Sequence, residues 1–481
     1  MPHYTHDLIV IGAGSGGLGA AGFGGALGLN VALIDRTAAN FGGDCLNYGC
    51  VPSKALLHVA AQFAGARAAT RFGLSTEGKA DLNKVMSYIH RQQDIIREHE
   101  TPQYLTETYG LECFIGEAML TGRREVTVNE HVLTAPRIIL ATGSKPRHLK
   151  TKGVELVKQY DNESVFTELR ELPEQLLIIG GGPNSCEMAQ AFQRLGSQVT
   201  LLNRGERLLS QDPAAAADVL EQKLREEGVD IRHRTEVTRF TDAHTAQLRD
   251  ADGPAGELSF THLIVAIGRE VRTTGLGLEL AGVHTKEGKI VADAYYRTSN
   301  PAIYVVGDAY GREMFSHGAE KHNTDLWTNL LSPIDRKHKL QHFSWVTFTD
   351  PEVATFGYTP QQLSERGIKY ETVTQSFDHD DRAVAADYRD SLLILYLQKT
   401  RFGSSKLLGG CMVAPNAGEM IQELLLLNML DKDYDTLTNK IYAYPVGSRI
   451  NQQPARDRAQ RRFLSPLAKR ALRAAYRLQN R

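Results

Sequence analysis

Long apolar runs are missing from this sequence: none of its 481 positions begins a stretch of about 18 consecutive apolar residues, the length a membrane-spanning helix requires. The chain passes from Met1 through His6 directly into the apolar segment Asp7 to Ile11, with no charged-then-apolar signal segment. We therefore expect a cytoplasmic protein.

An excess of charge of one sign is also missing. The 55 Lys and Arg residues nearly balance the 56 Asp and Glu residues, for a net charge of −1. Attraction to nucleic acid needs a basic surface, so we expect no nucleic-acid partner. The length is too great for one hydrophobic core and indicates about two to four domains.

Cysteine is scarce, with five in the whole chain, which excludes a secreted disulfide framework. Cys113, Cys186 and Cys411 are scattered through apparent strands and helices, and we interpret them as packing residues. The other two, Cys45 and Cys50, are five positions apart. They begin ten residues after an apparent nucleotide-binding βαβ unit, a placement that favours redox chemistry.

The spacing of Cys45 and Cys50 predicts a break in the helix that carries them. Residues i and i+5 of a regular α-helix have Cα atoms roughly 8.6 Å apart, beyond the limit of roughly 7 Å for a disulfide. Asn47 and Gly49 permit the distorted turn. A helix amino end here is expected to lower the pKa values of the thiols. The alternatives are a metal knot, which would need further ligands nearby, and an inert structural disulfide; we predict no metal site.

A glycine-rich turn follows the first apolar strand. Gly12, Gly14 and Gly17 lie between that strand and a helix of small residues, and a second strand ends at Asp35. The glycines allow close approach of a pyrophosphate to the helix amino end, and Asp35 can accept a hydrogen bond from a ribose hydroxyl.

The same construction recurs from Gly180, through Gly182, to Asn203, and both units span 23 positions. The chain is therefore expected to carry two dinucleotide sites. In the second unit the ribose acid is replaced by Asn203, with Arg204 and Arg207 just beyond. Arginine attracts a 2′-phosphate that an acid would repel, so we expect NADPH, with NADH as the alternative.

Taken together, these motifs resemble the class I pyridine nucleotide-disulfide oxidoreductases, the family of dihydrolipoamide dehydrogenase, glutathione reductase and mercuric reductase. The resemblance covers nearly all of residues 5 to 453. Beyond the two glycine motifs and the cysteine pair, it rests on five segments: Ile139 to Ser144, Val265 to Arg269, Ile303 to Ala309, Phe348 to Glu352 and Pro415 to Ile421.

The resemblance implies a relay in which NAD(P)H reduces FAD and the flavin reduces a Cys45–Cys50 disulfide. It assigns Cys50 to the flavin side and Cys45 to the substrate side. It also implies an ion pair of Lys54 with Glu187 near the reactive end of the flavin, and Asp308 at the ribityl chain. The cofactor-binding residues then comprise Gly12, Gly14, Gly17, Asp35, Gly143, Gly180, Gly182, Asn203, Arg204, Gly268, Gly307 and Asp308.

The sequence departs from this family near its end. Lipoamide and glutathione reductases carry a catalytic His-Pro there, followed four residues after the Pro by Glu, whereas this chain has Tyr444 and Arg449. A tyrosine with a pKa near 10 stays protonated at neutral pH, and losing an acid–base group costs roughly 10²–10⁴ in rate. Efficient turnover of lipoamide or glutathione is therefore not expected. Tyrosine here is similar to mercuric reductases, but their carboxyl-terminal cysteine pair is missing, and Asp44 stands where many relatives have Thr.

The last 28 residues are basic, with nine positive charges against Asp457 alone. After Pro466 the apolar residues fall at three- and four-residue spacings, which predicts a basic amphipathic helix. It can contact an anionic membrane, peripherally at the inner face, or pack on the acidic body of its own dimer.

The fold class predicted is α/β, with two doubly wound Rossmann-like domains for FAD and NAD(P) and an α+β carboxyl-terminal dimerisation domain. The FAD domain takes residues 1–150 and 271–345, the NAD(P) domain 151–270, the dimerisation domain 346–453 and the basic tail 454–481. By resemblance the protein is a homodimer.

Three hypotheses of function follow. The first is an FAD-dependent NAD(P)H oxidoreductase of a disulfide or thiol-reactive acceptor. The second is a metal-ion reductase of the mercuric type. The third is a membrane-docked flavoprotein redox sensor.

Overall fold

The computed structural model describes residues 3–338, 342–399 and 405–480. The predicted tail residue Arg481 lies outside them. The α-helices of the described residues are α1 (Ser15–Ala26), α2 (Gly43–Asn47), α3 (Cys50–Ala68), α4 (Leu82–Arg97), α5 (Pro102–Tyr109), α6 (Ser164–Glu168), α7 (Pro183–Leu195), α8 (Ala214–Glu226), α9 (Ser316–Leu331), α10 (Pro360–Glu365), α11 (Asp381–Ala386), α12 (Ala417–Met420), α13 (Gln422–Met429), α14 (Gln453–Phe463) and α15 (Pro466–Gln479).

The β-strands are β1 (Leu8–Ile11), β2 (Val31–Asp35), β3 (Glu112–Ile115), β4 (Ala118–Gly122), β5 (Glu125–Val128), β6 (His131–Thr134), β7 (Arg137–Leu140), β8 (Ser144–Pro146), β9 (Gln159–Tyr160), β10 (Gln175–Ile179), β11 (Gln198–Asn203), β12 (Asp230–His233), β13 (Glu236–Asp242), β14 (Thr245–Asp250), β15 (Gly253–Ser259), β16 (His262–Val265), β17 (Arg269–Val271), β18 (Thr285–Lys286), β19 (Lys289–Ile290), β20 (Ile303–Val305), β21 (Ser344–Thr347), β22 (Glu352–Gly357), β23 (Glu371–Ser376), β24 (Leu392–Lys399) and β25 (Ser405–Ala414).

A parallel five-stranded sheet surrounds the first strand, in the order β20-β7-β1-β2-β3. Every residue of β1 is buried, as expected for a continuous apolar run covered on both faces. The register places Ile11 beside Ile34 on one neighbour and Leu140 on the other. The strand order reverses at β1, and in doubly wound sheets ligands bind at this point.

A second parallel sheet repeats the arrangement in the order β12-β11-β10-β16-β9. Ile179 lies beside Leu202 and Val265, so the second glycine motif also follows a central strand. The predicted α/β class with two doubly wound sheets is confirmed.

The contacts divide the chain into two compact units. One holds both parallel sheets, in residues 1–204 and 230–338, and the other holds residues 205–229 and 339–481. The second unit is built on an antiparallel sheet of order β21-β22-β25-β24-β23, and α8 packs against its strands β22 and β25. Its core includes Phe356, Leu395 and Met412, all fully buried.

The basic tail forms two helices. In α14, Pro454 and Ala455 are buried, and Arg458 donates to the Asp435 carboxylate at 2.5 Å. In α15, by contrast, no residue is buried. The predicted helix after Pro466 is therefore present. Among the described residues, no helix combines the length and apolar character needed to cross a membrane.

Candidate active site

A tight glycine loop follows β1. Gly12 has φ +105°, and a Cβ added there would lie 2.2 Å from the carbonyl oxygen of Ala141. A Cβ on Gly17 would lie 1.7 Å from the carbonyl oxygen of Gly12. At the end of β2, Asp35 accepts a hydrogen bond from the backbone N–H of Ala13 at 2.7 Å. The predicted glycines and the predicted acid therefore meet at the carboxyl edge of the first sheet.

This edge fits the pyrophosphate of a flavin dinucleotide. Gly14 is the N-cap of α1, contributes no side-chain cap, and is followed by no acid in the first turn. The amino-terminal N–H groups of α1 therefore have neither a capping side chain nor an acid beside them, the arrangement that favours an anion. Gly143, with φ +71°, has open space where a Cβ would lie.

Asp308 lies in the 3₁₀ helix Gly307–Tyr310 that follows β20. The Ser144 hydroxyl donates to its carboxylate at 2.5 Å, and burial raises the pKa of Asp308. The backbone N–H of Gly307 donates to Nδ1 of the buried His322 at 3.1 Å. Two hydrogen bonds therefore hold the loop in which the resemblance places a ribityl contact.

The second glycine loop repeats the geometry of the first. Gly180 has φ +141°, and a Cβ there would lie 2.3 Å from the carbonyl oxygen of Ala266. Gly182 is the N-cap of α7 without a side-chain cap, and space around it is open. Ser185, in the third glycine position, would lie 2.4 Å from a Cβ on Gly180, so Gly180 must remain glycine here too.

The residues predicted to choose the coenzyme lie at the end of β11. Asn203 is buried and its amide is 3.1 Å from Nδ1 of His233. Arg204, the next residue, is exposed. Gly268, with φ +104°, has open space around its Cα. The neutral Asn203 thus stands at the end of its strand where the first unit has Asp35.

The predicted helix break between the cysteines is confirmed. Helix α2 ends at Asn47, and α3 begins at Cys50 after Gly49, whose φ of −118° and ψ of −108° are not helical. The Asn47 amide donates to the carbonyl oxygens of Phe41 at 3.1 Å and Gly43 at 2.9 Å. This buried side chain holds the short helix α2 in place.

Both cysteines of the pair are thiols, and their pKa values move in opposite directions. A hydrogen bond from the Cys45 thiol, with smaller contributions from the Ser316 hydroxyl and the cation of Lys54, lowers the pKa of Cys50 to about 6. The same hydrogen bond, together with burial, raises the pKa of Cys45. The expectation that the helix amino end lowers both pKa values is therefore wrong for Cys45, because the proton shared by the pair stays on that sulfur.

Lys54 and Glu187 form the predicted ion pair, with Nζ 2.8 Å from Oε2. Lys54 lies on α3 and Glu187 on α7, and these helices pack against each other. The Glu187 side chain is only 3% exposed. A carboxylate buried to this degree needs a cation, and Lys54 provides it one helical turn beyond Cys50.

Tyr444 is 68% exposed and belongs to the second unit. Its hydroxyl donates to the Asp381 carboxylate at 3.0 Å, and this hydrogen bond raises the pKa of Tyr444. Arg449 lies 4.0 Å from the same carboxylate and 5.5 Å from the centre of the tyrosine ring. Tyr444 thus keeps its proton at neutral pH.

The acidic run Asp378 to Asp381, whose residue types could suggest a metal site, has structural roles. Asp380 caps α11 by accepting from the backbone N–H of Ala383 at 3.0 Å, while Asp381 accepts from Tyr444.

The remaining cysteines match their interpretation in part: Cys186 and Cys411 are buried, and Cys113 is half-buried.

Glu313, His322 and His338 are grouped closely enough to hold a metal ion. Because Nδ1 of His322 accepts from Gly307, its proton lies on Nε2, which is 3.2 Å from the Glu313 carboxylate. That nitrogen then has no lone pair for a metal. The three side chains form a hydrogen-bonded network that contacts Gly307, the first residue of the 3₁₀ helix that carries Asp308.

Three residues of the site carry no sequence signal. The Ser316 hydroxyl is 3.4 Å from the Cys50 sulfur and opens α9, but it belongs to no motif. Arg269 is the last residue of a family segment, and nothing in that segment indicates that its guanidinium contacts Asp44 at 3.1 Å. The Tyr444 partner Asp381 is 63 residues away in sequence. Each of these three contacts joins residues far apart in sequence, within one unit of the structure.

Comparison with known proteins agrees with this geometry. The pyridine nucleotide-disulphide oxidoreductase family profile matches residues 6–324, and the dimerisation domain of that family matches residues 343–453. The chain is 36% identical to a mercuric reductase of Streptomyces lividans, over 87% of this chain and 89% of the relative. It is 33% identical to a dihydrolipoyl dehydrogenase of Thermus scotoductus, over 92% and 95%.

The fold is also that of a solved structure, the Cu(II) complex of the HOCl-induced flavoprotein disulfide reductase RclA from Escherichia coli. The TM-score is 0.83 at 24% identity, over 95% of this chain and 99% of that chain. The resemblance drawn from the sequence motifs is confirmed.

Proposed function

Since the chain belongs to the pyridine nucleotide-disulphide oxidoreductase family, we propose that electrons leave it through Cys45 and Cys50. The protein is a flavoprotein oxidoreductase that uses FAD and NAD(P)H, and its dimerisation domain makes it a homodimer. FAD, when bound, supplies the transfer of electrons between the nicotinamide and the thiols. The observation that carries the proposal is the position of Cys50 at the start of α3, 3.4 Å from the Ser316 hydroxyl and one helical turn before the ion pair of Lys54 with Glu187.

Cys50 is the thiol on the flavin side. Its pKa of about 6 makes it mostly thiolate at pH 7, and a thiolate is the reactive form of cysteine. The Ser316 hydroxyl at 3.4 Å and the Lys54 cation stabilise that negative charge. Glu187 holds Lys54 through the 2.8 Å ion pair, so it acts by positioning the cation.

Cys45 is the outer thiol, which meets the acceptor. It keeps its proton at neutral pH because the hydrogen bond to Cys50 and burial raise its pKa. To attack a disulfide or bind a metal ion, Cys45 must therefore lose this proton, and the neighbouring Cys50 thiolate can receive it.

The acceptor is proposed to be a disulfide or another thiol-reactive compound that needs no histidine. Tyr444, proposed to reach Cys45 of the partner subunit, stays protonated through its hydrogen bond to Asp381. A protonated phenol can donate a hydrogen bond but is a poor base at pH 7. Lipoamide and glutathione, whose reductases use a histidine, are accordingly poor candidates.

A thiophilic metal ion is the second candidate acceptor. The Streptomyces lividans relative is named a mercuric reductase, and the Escherichia coli structure is a Cu(II) complex. A metal ion needs two thiolates and no histidine to deprotonate a substrate dithiol, which fits a Tyr444 that stays protonated. Against it, Cys411 is the last cysteine in the sequence and is fully buried, so this chain has no cysteine beyond it to deliver a metal.

The two parallel sheets divide the nucleotides between them. We assign FAD to the first sheet, with Gly12, Asp35 and Asp308 as its principal contacts, and the nicotinamide coenzyme to the second, with Gly180 and Gly182. The proposed domain limits are 1–150 with 271–345 for FAD, 151–270 for NAD(P) and 346–453 for dimerisation. NADPH is the proposed coenzyme because Asn203 carries no charge and Arg204 is exposed beside it.

The tail is proposed to make a peripheral contact with an anionic membrane from the cytoplasmic side. Leu467 is 81% exposed and Leu478 72% exposed, and α15 carries Lys469, Arg470, Arg473 and Arg477 with no acid. Removing residues 466–481 tests this contact, because it leaves the partly buried α14 intact. Full-length protein should sediment with vesicles rich in phosphatidylglycerol and the truncated protein should not; equal sedimentation of both refutes the contact.

An acceptor screen tests the main proposal. Purified protein is supplied with NADPH and, in turn, with small disulfides, Hg(II) and Cu(II), while NADPH oxidation is followed. Faster turnover with disulfides supports the first candidate, and turnover confined to a metal ion supports the second. Cys45→Ser should abolish the turnover and Cys113→Ser should not; turnover that survives Cys45→Ser refutes both candidates.

A further inference from the structure

Asp44, the residue before Cys45, is held by two side chains. Arg269 Nη2 donates to Asp44 Oδ1 at 3.1 Å, and Asn162 Nδ2 donates to the same oxygen at 3.1 Å. Arg269 Nη1 also donates to Asn162 Oδ1 at 3.0 Å. The three side chains therefore close a ring of hydrogen bonds, and the Arg269 side chain is only 17% exposed.

The two partners of Asp44 each lie just after a strand of the second parallel sheet, and these two strands are neighbours. Asn162 follows β9, through which the chain enters that sheet, and Arg269 opens β17 shortly after β16, through which the chain leaves it. Strands β9 and β16 pair with each other in parallel. The Asp44 carboxylate on α2 thus contacts Asn162, just after the chain enters the proposed nicotinamide-binding sheet, and Arg269, just after the chain leaves it.

Arg269 also connects Asp44, through Ser144, to Asp308, the residue proposed to contact the flavin. Its Nε donates to the Ser144 hydroxyl at 2.7 Å, and that hydroxyl donates to Asp308 Oδ2 at 2.5 Å. Hydrogen bonds therefore run without a gap from Asp308 through Ser144 and Arg269 to Asp44, beside the outer thiol.

We propose that Asp44 is a positioning residue that fixes the Cys45 end of the redox pair to Asn162, just after β9, and to Arg269 in β17, with Arg269 as its counter-charge. This inference rests on the proposed function of Cys45 as the outer thiol. It explains why an acid can occupy a position next to the thiols: the Arg269 side chain is only 17% exposed, and Asp44 supplies the counter-charge that a buried cation needs.

Loss of Asp44 should loosen the outer thiol. Without its carboxylate, the sheltered donors of Arg269 and Asn162 have no acceptor at that position, and hydrogen bonds to charged groups are the strong ones. Helix α2 has only five residues, so it depends on such contacts to stay in place. The Cys45 sulfur should then become more accessible to a reagent from solvent.

The test measures alkylation of Cys45 in the reduced holoenzyme with iodoacetamide, followed by mass spectrometry of the Cys45 peptide. Asp44→Ala should raise the rate about tenfold, whereas Asp44→Asn, which keeps an oxygen acceptor, should stay within about threefold of wild type. A wild-type rate in Asp44→Ala overturns the proposal. If Asp44→Ala loses its flavin, Arg269→Gln and Asn162→Ala replace it, and wild-type rates in both overturn the proposal.

A double-mutant cycle separates positioning from a general loss of structure. Asp44→Ala and Arg269→Gln should each raise the rate, and the double variant should be no faster than the faster single variant. Arg272→Gln is the matched control, because Arg272 donates to the Ser144 carbonyl oxygen at 2.9 Å and to Glu163 at 3.2 Å. Its effect should multiply with that of Asp44→Ala. Multiplying effects of Asp44→Ala and Arg269→Gln contradict the proposal.

The proposed function is tested separately in the same preparations. If Cys50→Ser retains NADPH-driven turnover, the relay fails whatever the alkylation rates are. If the relay holds and the Asp44 variants alkylate at the wild-type rate, only the positioning role fails.

Discussion

Single residues set the division of labour between the two thiols. The hydrogen bond between the two thiols raises the pKa of Cys45 and lowers that of Cys50, so the shared proton stays on Cys45. Lys54 and Ser316 then stabilise the charge left on Cys50. The pair thereby presents a thiolate to one side and a thiol to the other.

Alkylation of Cys50 should follow this pKa. Its thiolate should be half-formed near pH 6, so the alkylation rate should be nearly constant above pH 7 and fall as the pH drops through 6. A free cysteine would titrate near 8.5. Cys45→Ala removes the hydrogen-bond donor and should move the midpoint upward, while Cys113→Ala should leave it in place. A wild-type midpoint near 8.5 would contradict the assignment.

The identity of residue 444 should decide which acceptors are used. Tyr444→His introduces a group with a pKa near 6.5 that can exchange protons at neutral pH, and Arg449→Glu adds the carboxylate that lipoamide reductases carry. The double variant should oxidise dihydrolipoamide at least about tenfold faster than wild type, since positioned acid–base groups contribute roughly 10²–10⁴. Tyr444→Phe, which adds no base, should gain nothing; an equal gain in both would show that Tyr444 only obstructs the dithiol.

Among the elements, the short helix α2 and the break after it are the feature most specific to this site. Asn47 spans the element, since its amide donates to two backbone carbonyls and its oxygen accepts from Arg97 at 2.8 Å. In the sequence, Asn47 is distinguished only as a small polar residue that permits a distorted turn. Its anchoring role follows from burial, which a local pattern does not reveal.

Asn47→Ala should destabilise the protein by about 1–3 kcal/mol, because it leaves buried hydrogen-bonding groups without partners. The free energy of unfolding from urea titration measures this, and Asn480→Ala, at an exposed helix end, serves as the control with a change below about 0.5 kcal/mol. Equal stability of Asn47→Ala and wild type would mean that α2 is held in another way.

The sequence predicts helices and strands whose apolar residues and glycines recur at a regular spacing. It does not predict which side chains distant in sequence contact each other. The two βαβ units follow from apolar strands, glycines and a 23-residue spacing, all within one stretch of chain. The helix break follows from the reach of a disulfide. The contacts of Asp44 with Arg269, 225 positions apart, and of Tyr444 with Asp381 depend on loops and side-chain directions that no short pattern encodes.

At the scale of the whole molecule, the chain combines two glycine loops typical of its family with departures from the family near the proposed acceptor site. Both nucleotide loops keep the glycines that their backbone geometry requires, at Gly12 and Gly180. The changes lie where the substrate is expected, at Asp44, Tyr444 and Arg449. Such a distribution fits an enzyme that takes electrons from a nicotinamide coenzyme, as its relatives do, and passes them to a different acceptor.

Coenzyme choice should be readable from steady-state kinetics. Wild-type protein should have a higher kcat/KM with NADPH than with NADH, and Asn203→Asp should reverse the order, because a carboxylate accepts from a ribose hydroxyl and repels a 2′-phosphate. A change of about tenfold in the ratio is expected. Asp230→Asn, at the far end of the neighbouring strand β12, is the control. A ratio that Asn203→Asp leaves unchanged would locate coenzyme choice elsewhere.

Anaerobic titration with NADPH tests the central claim, that electrons pass through Cys50 to Cys45, most directly. Wild-type holoenzyme should develop the long-wavelength absorbance of a thiolate next to the flavin after one equivalent of NADPH, and Cys45→Ser should retain such absorbance. Cys50→Ser should lack it at every pH. Undiminished long-wavelength absorbance in Cys50→Ser, or none in the wild type, would contradict the assigned path.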